Sequence, residues 1–256
     1  MKPRTEVLIM PVDHEPSPTA GGNVTPTLLV IQNSKSSTLG RFEQWWREEG
    51  LALDIVPAYD GADIPELNGY AGLVMLGGGL MPDDDEHYAW LADERARAQE
   101  AVDSGLPVLG ICLGGQLLAH VIGGTVKAEH GLPESGSTVL VKRAEAADDA
   151  LFGPLADEFT AMEHRKDAIT ALPDHAVWLA SSERCPIQGF RVGERAWGLQ
   201  FHPEMTGERV RRWDRAELQE QGFEPDELIA RSEADEVTAE PVWRAFAGRF
   251  AAIVRD

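Results

Sequence analysis

Between Thr27 and Gly124 the chain alternates short apolar runs with longer amphipathic ones, and no other feature restricts the fold as much. "TPTLLVIQN", "LALDIVPA" and "YAGLVMLGGG" read as buried strands, as does the apolar run Leu106 to Ile111. "STLGRFEQWWREEG" reads as an amphipathic helix opened by Ser37 or Thr38 and stopped by Gly50, and "HYAWLADERARAQEAVDSG" as a second helix. In a third, Leu113, Leu117, Leu118, Val121 and Ile122 recur at helical spacing before Gly123 and Gly124 end it. Strands alternating with helices predict a mostly parallel central sheet with helices on both faces, and such sheets place their sites at the carboxyl ends of the strands.

Beyond Gly124 the pieces shorten to "STVLVKR", "EFTAMEHR", "AVWLASSE", "IQGFRVG" and "RAWGLQFH", which predict an antiparallel or mixed extension of the same sheet. From Thr206 the chain is charged and helical, with an apolar stripe of Leu228, Ile229, Val242, Trp243, Phe246 and Phe250 that packs over the domain. Residues 1–25 mix prolines, glycines and charges around one apolar patch, Val7 to Met10, and read as an extension whose patch pairs with a sheet edge. Residues 26–256 form the expected domain.

Charge narrows the function. With 43 acidic and 23 basic residues the net charge is −20, which disfavours nucleic acid and anionic membrane as partners. "DDDE", Asp83 to Glu86, reads as a solvated loop or helix start rather than a metal site. The two cysteines, Cys112 and Cys185, form no C-x-x-C pair, so neither a disulfide framework nor zinc is expected, and the setting is cytoplasmic.

Cys112 falls at the turn between strand and helix in "VLGICLGGQLLAHVIGG", a G-x-C-x-G arrangement like the G-x-S-x-G nucleophile elbow. A helix N-terminus favours a thiolate at that position, while a buried cysteine packed among glycines would serve as a small hydrophobe. A nucleophile needs a base and the base an orienting group. In "GLQFHPEM", an extended segment would turn His202 and Glu204 to the same side, so that Glu204 holds one imidazole nitrogen and the other reaches Cys112. His202 as a strand-end cap and "GGG" as a flexible turn are the plainer alternatives. The N–H groups of Leu113 and Gly78 are candidates for an oxyanion hole.

On "GICLGGQLLA" and "GLQFHPE" together, the sequence resembles the class I, or triad, glutamine amidotransferases, from about Thr27 to the C-terminus. It is most similar to stand-alone members related to the amidotransferase domain of GMP synthase. The resemblance implies a flavodoxin-like α/β sandwich in which Cys112 attacks the side-chain amide of glutamine. His202 then protonates the departing ammonia, and Glu204 orients His202. It also implies that Gly78 and Leu113 hold the oxyanion, that Gln116 and the Gly77 to Gly79 loop bind the glutamyl group, and that no cofactor or metal is needed. His164 in "MEHRKDAITALP" stands near a family H-x-D element, with Asp167 one residue late. Arg165 and Lys166 replace small residues there, and would occlude the acceptor-facing pocket or select an anionic substrate. Cys185 and His120 read as packed structural residues.

Three functions remain open to the sequence. The first is an amidotransferase that supplies ammonia to a synthetase or acceptor subunit, since no G-x-x-x-x-G-K-[ST] loop is present. The second is a free-standing hydrolase of γ-glutamyl amides or peptides using the same triad. The third is a catalytically idle scaffold or regulatory protein on the same fold.

Overall fold

The computed structural model describes residues 25–256. Val7 to Met10, expected at a sheet edge, lie outside them. The strands are β1 Thr27–Gln32, β2 Ala52–Pro57, β3 Gly72–Met75, β4 Val108–Ile111, β5 Thr125–Lys127 and β6 Glu134–Lys142, then β7 Glu158–Arg165, β8 Ala168–Ala171, β9 Ala176–Ser181, β10 Gly189–Val192 and β11 Ala196–Leu199. The helices are α1 Arg41–Glu48, α2 Trp90–Ser104, α3 Leu113–Val121, α4 Arg215–Glu220 and α5 Pro225–Arg255.

A nine-stranded sheet runs in the order β2-β1-β3-β4-β11-β10-β9-β6-β7. The pairs from β2 to β11 are parallel and those from β11 to β7 antiparallel, so the predicted extension grows from the last parallel strand. Side chains alternate across a strand. Leu28 and Val30 therefore join the aromatic face covered by α1 and α5, with Phe42, Trp46, Trp243 and Phe250, while Leu29 and Ile31 face α2 and α3. Helices thus cover both faces of the sheet, as the alternating sequence pattern predicts. No helix among the described residues is long and apolar enough to cross a membrane.

One local expectation needs correction, and two further details go beyond what the sequence predicts. Neither Ser37 nor Thr38 opens α1, which starts after Gly40; the Ser34 hydroxyl instead bonds Ser37, closing a separate turn. The charged C-terminal region is one short helix and a 31-residue helix, α5, that contains Pro241. β5 and β8 form a small antiparallel sheet that carries no alternating apolar signal.

Candidate active site

β4 and β11 are parallel neighbours in register, Ile111 opposite Leu199, so the segments that follow them leave the same end of the sheet side by side. Cys112 and the turn holding His202 and Glu204 follow from these two strands. The turn after β4 is tight enough to force Cys112 to φ 54°, outside the range that side chains with a Cβ prefer. Glycine makes the turn possible. A Cβ on Gly114 would lie 2.1 Å from the Met75 carbonyl oxygen, and one on Gly115 2.4 Å from that of Leu199. The N–H of Cys112 donates to Leu199 O at 2.8 Å, tying the cysteine to the neighbouring strand.

His202 begins a turn rather than an extended segment. Its N–H donates to Met162 O at 2.8 Å, and its carbonyl accepts from Met205 N at 3.3 Å. The turn still brings His202 Nδ1 within 2.8 Å of Glu204 Oε1. Both side chains are buried. Burial works against a charged imidazole, but the charges of Glu204 and Cys112 outweigh it and hold the His202 pKa well above its ordinary value. A thiol, an imidazole that favours its protonated form and an orienting carboxylate can together form a nucleophilic thiolate and protonate a leaving group.

A cavity of about 900 Å³ opens over these groups, its lining including Gly78, Gly79, Cys112, Gln116, His164 and His202. Gly77 lies against the pair, where a Cβ would be 3.2 Å from His202 Cε1 and 3.4 Å from Cys112 Cβ. Gly78 packs on Leu113, whose Cδ2 would be 2.8 Å from an added Cβ. The loop and the start of α3 therefore face each other across the cysteine. Every residue expected at the site gathers here, with Glu204 behind His202 and Leu113 beneath the loop. Among the described residues no group of three His, Cys, Asp or Glu is placed to hold a metal ion.

The glutamine amidotransferase class-I family model matches residues 30–213. The chain belongs to this family. A glutamine-hydrolyzing GMP synthase subunit from Thermoplasma acidophilum is 38% identical over 162 residues, 62% of this chain and 74% of the relative. Its counterpart from Methanococcus vannielii is 31% identical over 180 residues, 70% of this chain and 88% of its own. A crystal structure of a glutamine amidotransferase from Thermotoga maritima superposes with a TM-score of 0.79 at 28% identity, covering 89% of this chain and 99% of that one.

Within this amidotransferase the H-x-D region departs from the sequence expectation. Arg165 does not block the pocket: its guanidinium turns inward onto buried Glu134, with bonds of 2.6 and 3.0 Å, because neighbours in a strand face opposite ways. Lys166 pairs with Glu217 at 2.7 Å, and Asp167 accepts the Glu129 N–H at 2.9 Å. His164 faces the cavity and stacks on Trp213, ring centroids 4.2 Å apart. Cys185 is buried, which raises its thiol pKa to about 12 and keeps it inert.

Two supports escaped the sequence reading. Asn33 Nδ2 donates to Leu76 O at 3.1 Å and to Glu94 Oε1 at 3.0 Å, while Trp90 Nε1 donates to Asn33 Oδ1 at 2.9 Å, pinning the entry to the glycine loop. Arg41 Nε donates to Pro203 O at 2.8 Å, and its guanidinium is ion-paired with Glu236 of α5, holding the His202 turn from behind. An asparagine at the end of a strand was the only local signal for the first. For the second there was none.

Proposed function

We propose that this amidotransferase hydrolyses the side-chain amide of glutamine through a γ-glutamyl thioester on Cys112 and delivers the ammonia to an acceptor on a synthetase or acceptor subunit. The observation that carries the reading is the 2.8 Å bond between His202 Nδ1 and Glu204 Oε1, made beside a cysteine at a strained turn. Glu204 fixes which imidazole nitrogen faces Cys112. The thiolate adds to the amide carbon, and the oxyanion takes hydrogen bonds from the N–H groups of Gly78 and Leu113, neither of which donates to another backbone carbonyl among the described residues. His202 protonates the leaving nitrogen. Water then cleaves the thioester to release glutamate.

Gln116 and the Gly77 to Gly79 loop hold the glutamyl group, and no step calls for a cofactor. The partner is inferred from relatives named as subunits of GMP synthase. A cytoplasmic setting fits a thiol that opens onto a cavity and must stay reduced. The test is glutamate release from glutamine by the purified protein, with Cys112→Ala as the blank. Loss of release in Cys112→Ala and His202→Ala, with unchanged thermal melting, is expected; a Cys112→Ala variant that retains wild-type turnover refutes the assignment.

A further inference from the structure

On the reading proposed above, the loop Gly77 to Gly79 carries one donor of the oxyanion hole, yet it has no side chain with which to hold itself, and glycine leaves the backbone its widest freedom. What holds it lies beneath. Asn33, at the end of β1, and Glu94, on α2, are both buried. Asn33 Nδ2 gives one hydrogen to Leu76 O at 3.1 Å and the other to Glu94 Oε1 at 3.0 Å, while Trp90 Nε1, which can only donate, reaches Asn33 Oδ1 at 2.9 Å. The amide therefore has one orientation and no spare donor.

The Leu76 carbonyl shares a peptide plane with the Gly77 nitrogen, so only the two soft dihedrals of Gly77 separate it from the plane that bears the Gly78 N–H. Asn33 braces that second plane as well, since a Cβ on Gly78 would lie 3.2 Å from Asn33 Cβ. One side chain thus fixes the loop at both ends of Gly77.

Glu94 is a titratable group that the thioester mechanism leaves unused. Its Oε2 is buried and has no hydrogen-bond partner among the described residues. Leu91, one turn earlier on α2, packs with Leu113 and Leu117 of α3, and β1 and the loop bring only the neutral Asn33 and Leu76. Arg95 is the charge that draws on the carboxyl, and it is already held by Asp85 at 2.6 and 2.8 Å. As a neutral acid, Glu94 accepts from Asn33 without placing a charge in the core. Ionised, with its proton lost to solvent, it becomes a buried charge without a cation, a cost relieved by admitting water beneath the loop.

We infer that Glu94 is a positioning residue for the oxyanion hole: protonated, it seats Asn33, and Asn33 seats the Gly78 N–H over the amide that Cys112 attacks. The inference rests on the thioester reading and adds to it a proton that never reaches the substrate. Because burial raises the Glu94 pKa to about 8, the loop is set below that pH and released above it.

The test compares the full-length protein with Glu94→Gln, which keeps an oxygen for Asn33 and cannot ionise, and with Glu94→Leu, which fills the space and offers no acceptor. Glutamate release from glutamine is followed between about pH 6 and 9, beside the rate at which a chloroketone analogue of glutamine alkylates Cys112, because the thiolate adding to that ketone also places an oxyanion between Gly78 and Leu113. Wild-type kcat is expected to fall as pH rises through about 8, and Glu94→Gln to lack that fall. Near neutral pH, Glu94→Leu is expected to lose about tenfold in kcat and in alkylation rate, with KM changed by less than about twofold, and Glu94→Gln to recover most of the loss. If Glu94→Leu does not fold, the pH profiles of wild type and Glu94→Gln decide alone. Coincident profiles, a Glu94→Leu variant with wild-type kcat, or a loss that falls on KM overturn the inference and keep the thioester reading. If glutamine is not turned over but Cys112 is alkylated, the alkylation rates and their pH profiles are read in the same way. Neither turnover nor alkylation by the wild type overturns both.

Discussion

The backbone N–H of Arg41 donates to the Glu204 carbonyl at 3.1 Å, so the first turn of α1 grips the segment that carries both His202 and Glu204. Gly40 lets the two chains come this close: a Cβ there would lie 2.2 Å from the same carbonyl oxygen. Removing the Arg41 side chain takes away the bond to Pro203 O and the ion pair with Glu236 while leaving the backbone contact. Small misplacements of reacting groups can cost about a hundredfold in rate. Arg41→Ala should therefore lower kcat for glutamine by about tenfold or more with little change in KM. Steady-state kinetics beside a thermal melt will check this, and an unchanged kcat contradicts the gripping role.

The glycines after Cys112 differ from Gly79, at the end of the loop before it, in what they tolerate. Gly114→Ala drives a methyl group into the Met75 carbonyl in the middle of the sheet, with no flexible side chain to yield, and should cost about 3 kcal/mol. Gly79→Ala meets nothing within 4 Å and should change stability by less than about 0.5 kcal/mol. Urea unfolding of both variants decides it; similar midpoints would mean that the turn is looser than its contacts imply.

The charge on His202 depends on its two neighbours. Burial opposes protonation, and Glu204 and Cys112 overcome it, so removing either negative group must lower the imidazole pKa. Glu204→Gln and Cys112→Ala should each shift the imidazole C–H resonance titration to lower pH. A titration unmoved by both changes would show that another group holds the proton.

Glu94 carries a buried carboxyl under the glycine loop, and its burial, only partly offset by the Asn33 bond and the Arg95 charge, raises its pKa to about 8. The unfolded chain releases this proton near pH 4.5, the ordinary carboxyl value, while the fold keeps it up to about 8. Stability from this group therefore falls as pH rises across that window. Glu94→Gln retains an oxygen for Asn33 and has no proton to lose, so its advantage over the wild type should widen between about pH 5 and 8. Urea midpoints at several pH values measure the gap; a constant gap would contradict the raised pKa.

The turn around Cys112 was legible in the sequence because strand, glycines and helix lie in one local stretch whose periodicities change at the cysteine. His202 and Glu204 were legible through their two-residue spacing, although the structure joins them through a turn instead of an extended chain. Asn33, Glu94 and Arg41 were not legible, since each acts on residues distant in the chain. Glu94 is one of several charges along "LADERARAQE", and nothing local in the sequence sets Arg41 apart. Arg165 was placed wrongly toward the pocket because its inward bond to Glu134 depends on the pairing of β6 with β7, a long-range register. β5 and β8 are too short to carry a periodic signal.

The parallel pairing of β4 with β11 also orders events during synthesis. Cys112 emerges early, but the strand that leads to its base follows only after the entire antiparallel half of the sheet has been made. Contacts of such long sequence separation form late in folding. A nascent chain halted before β11 therefore holds Cys112 without the Leu199 carbonyl that ties its turn and without a base beside it, and the site cannot assemble until almost the whole sheet has closed.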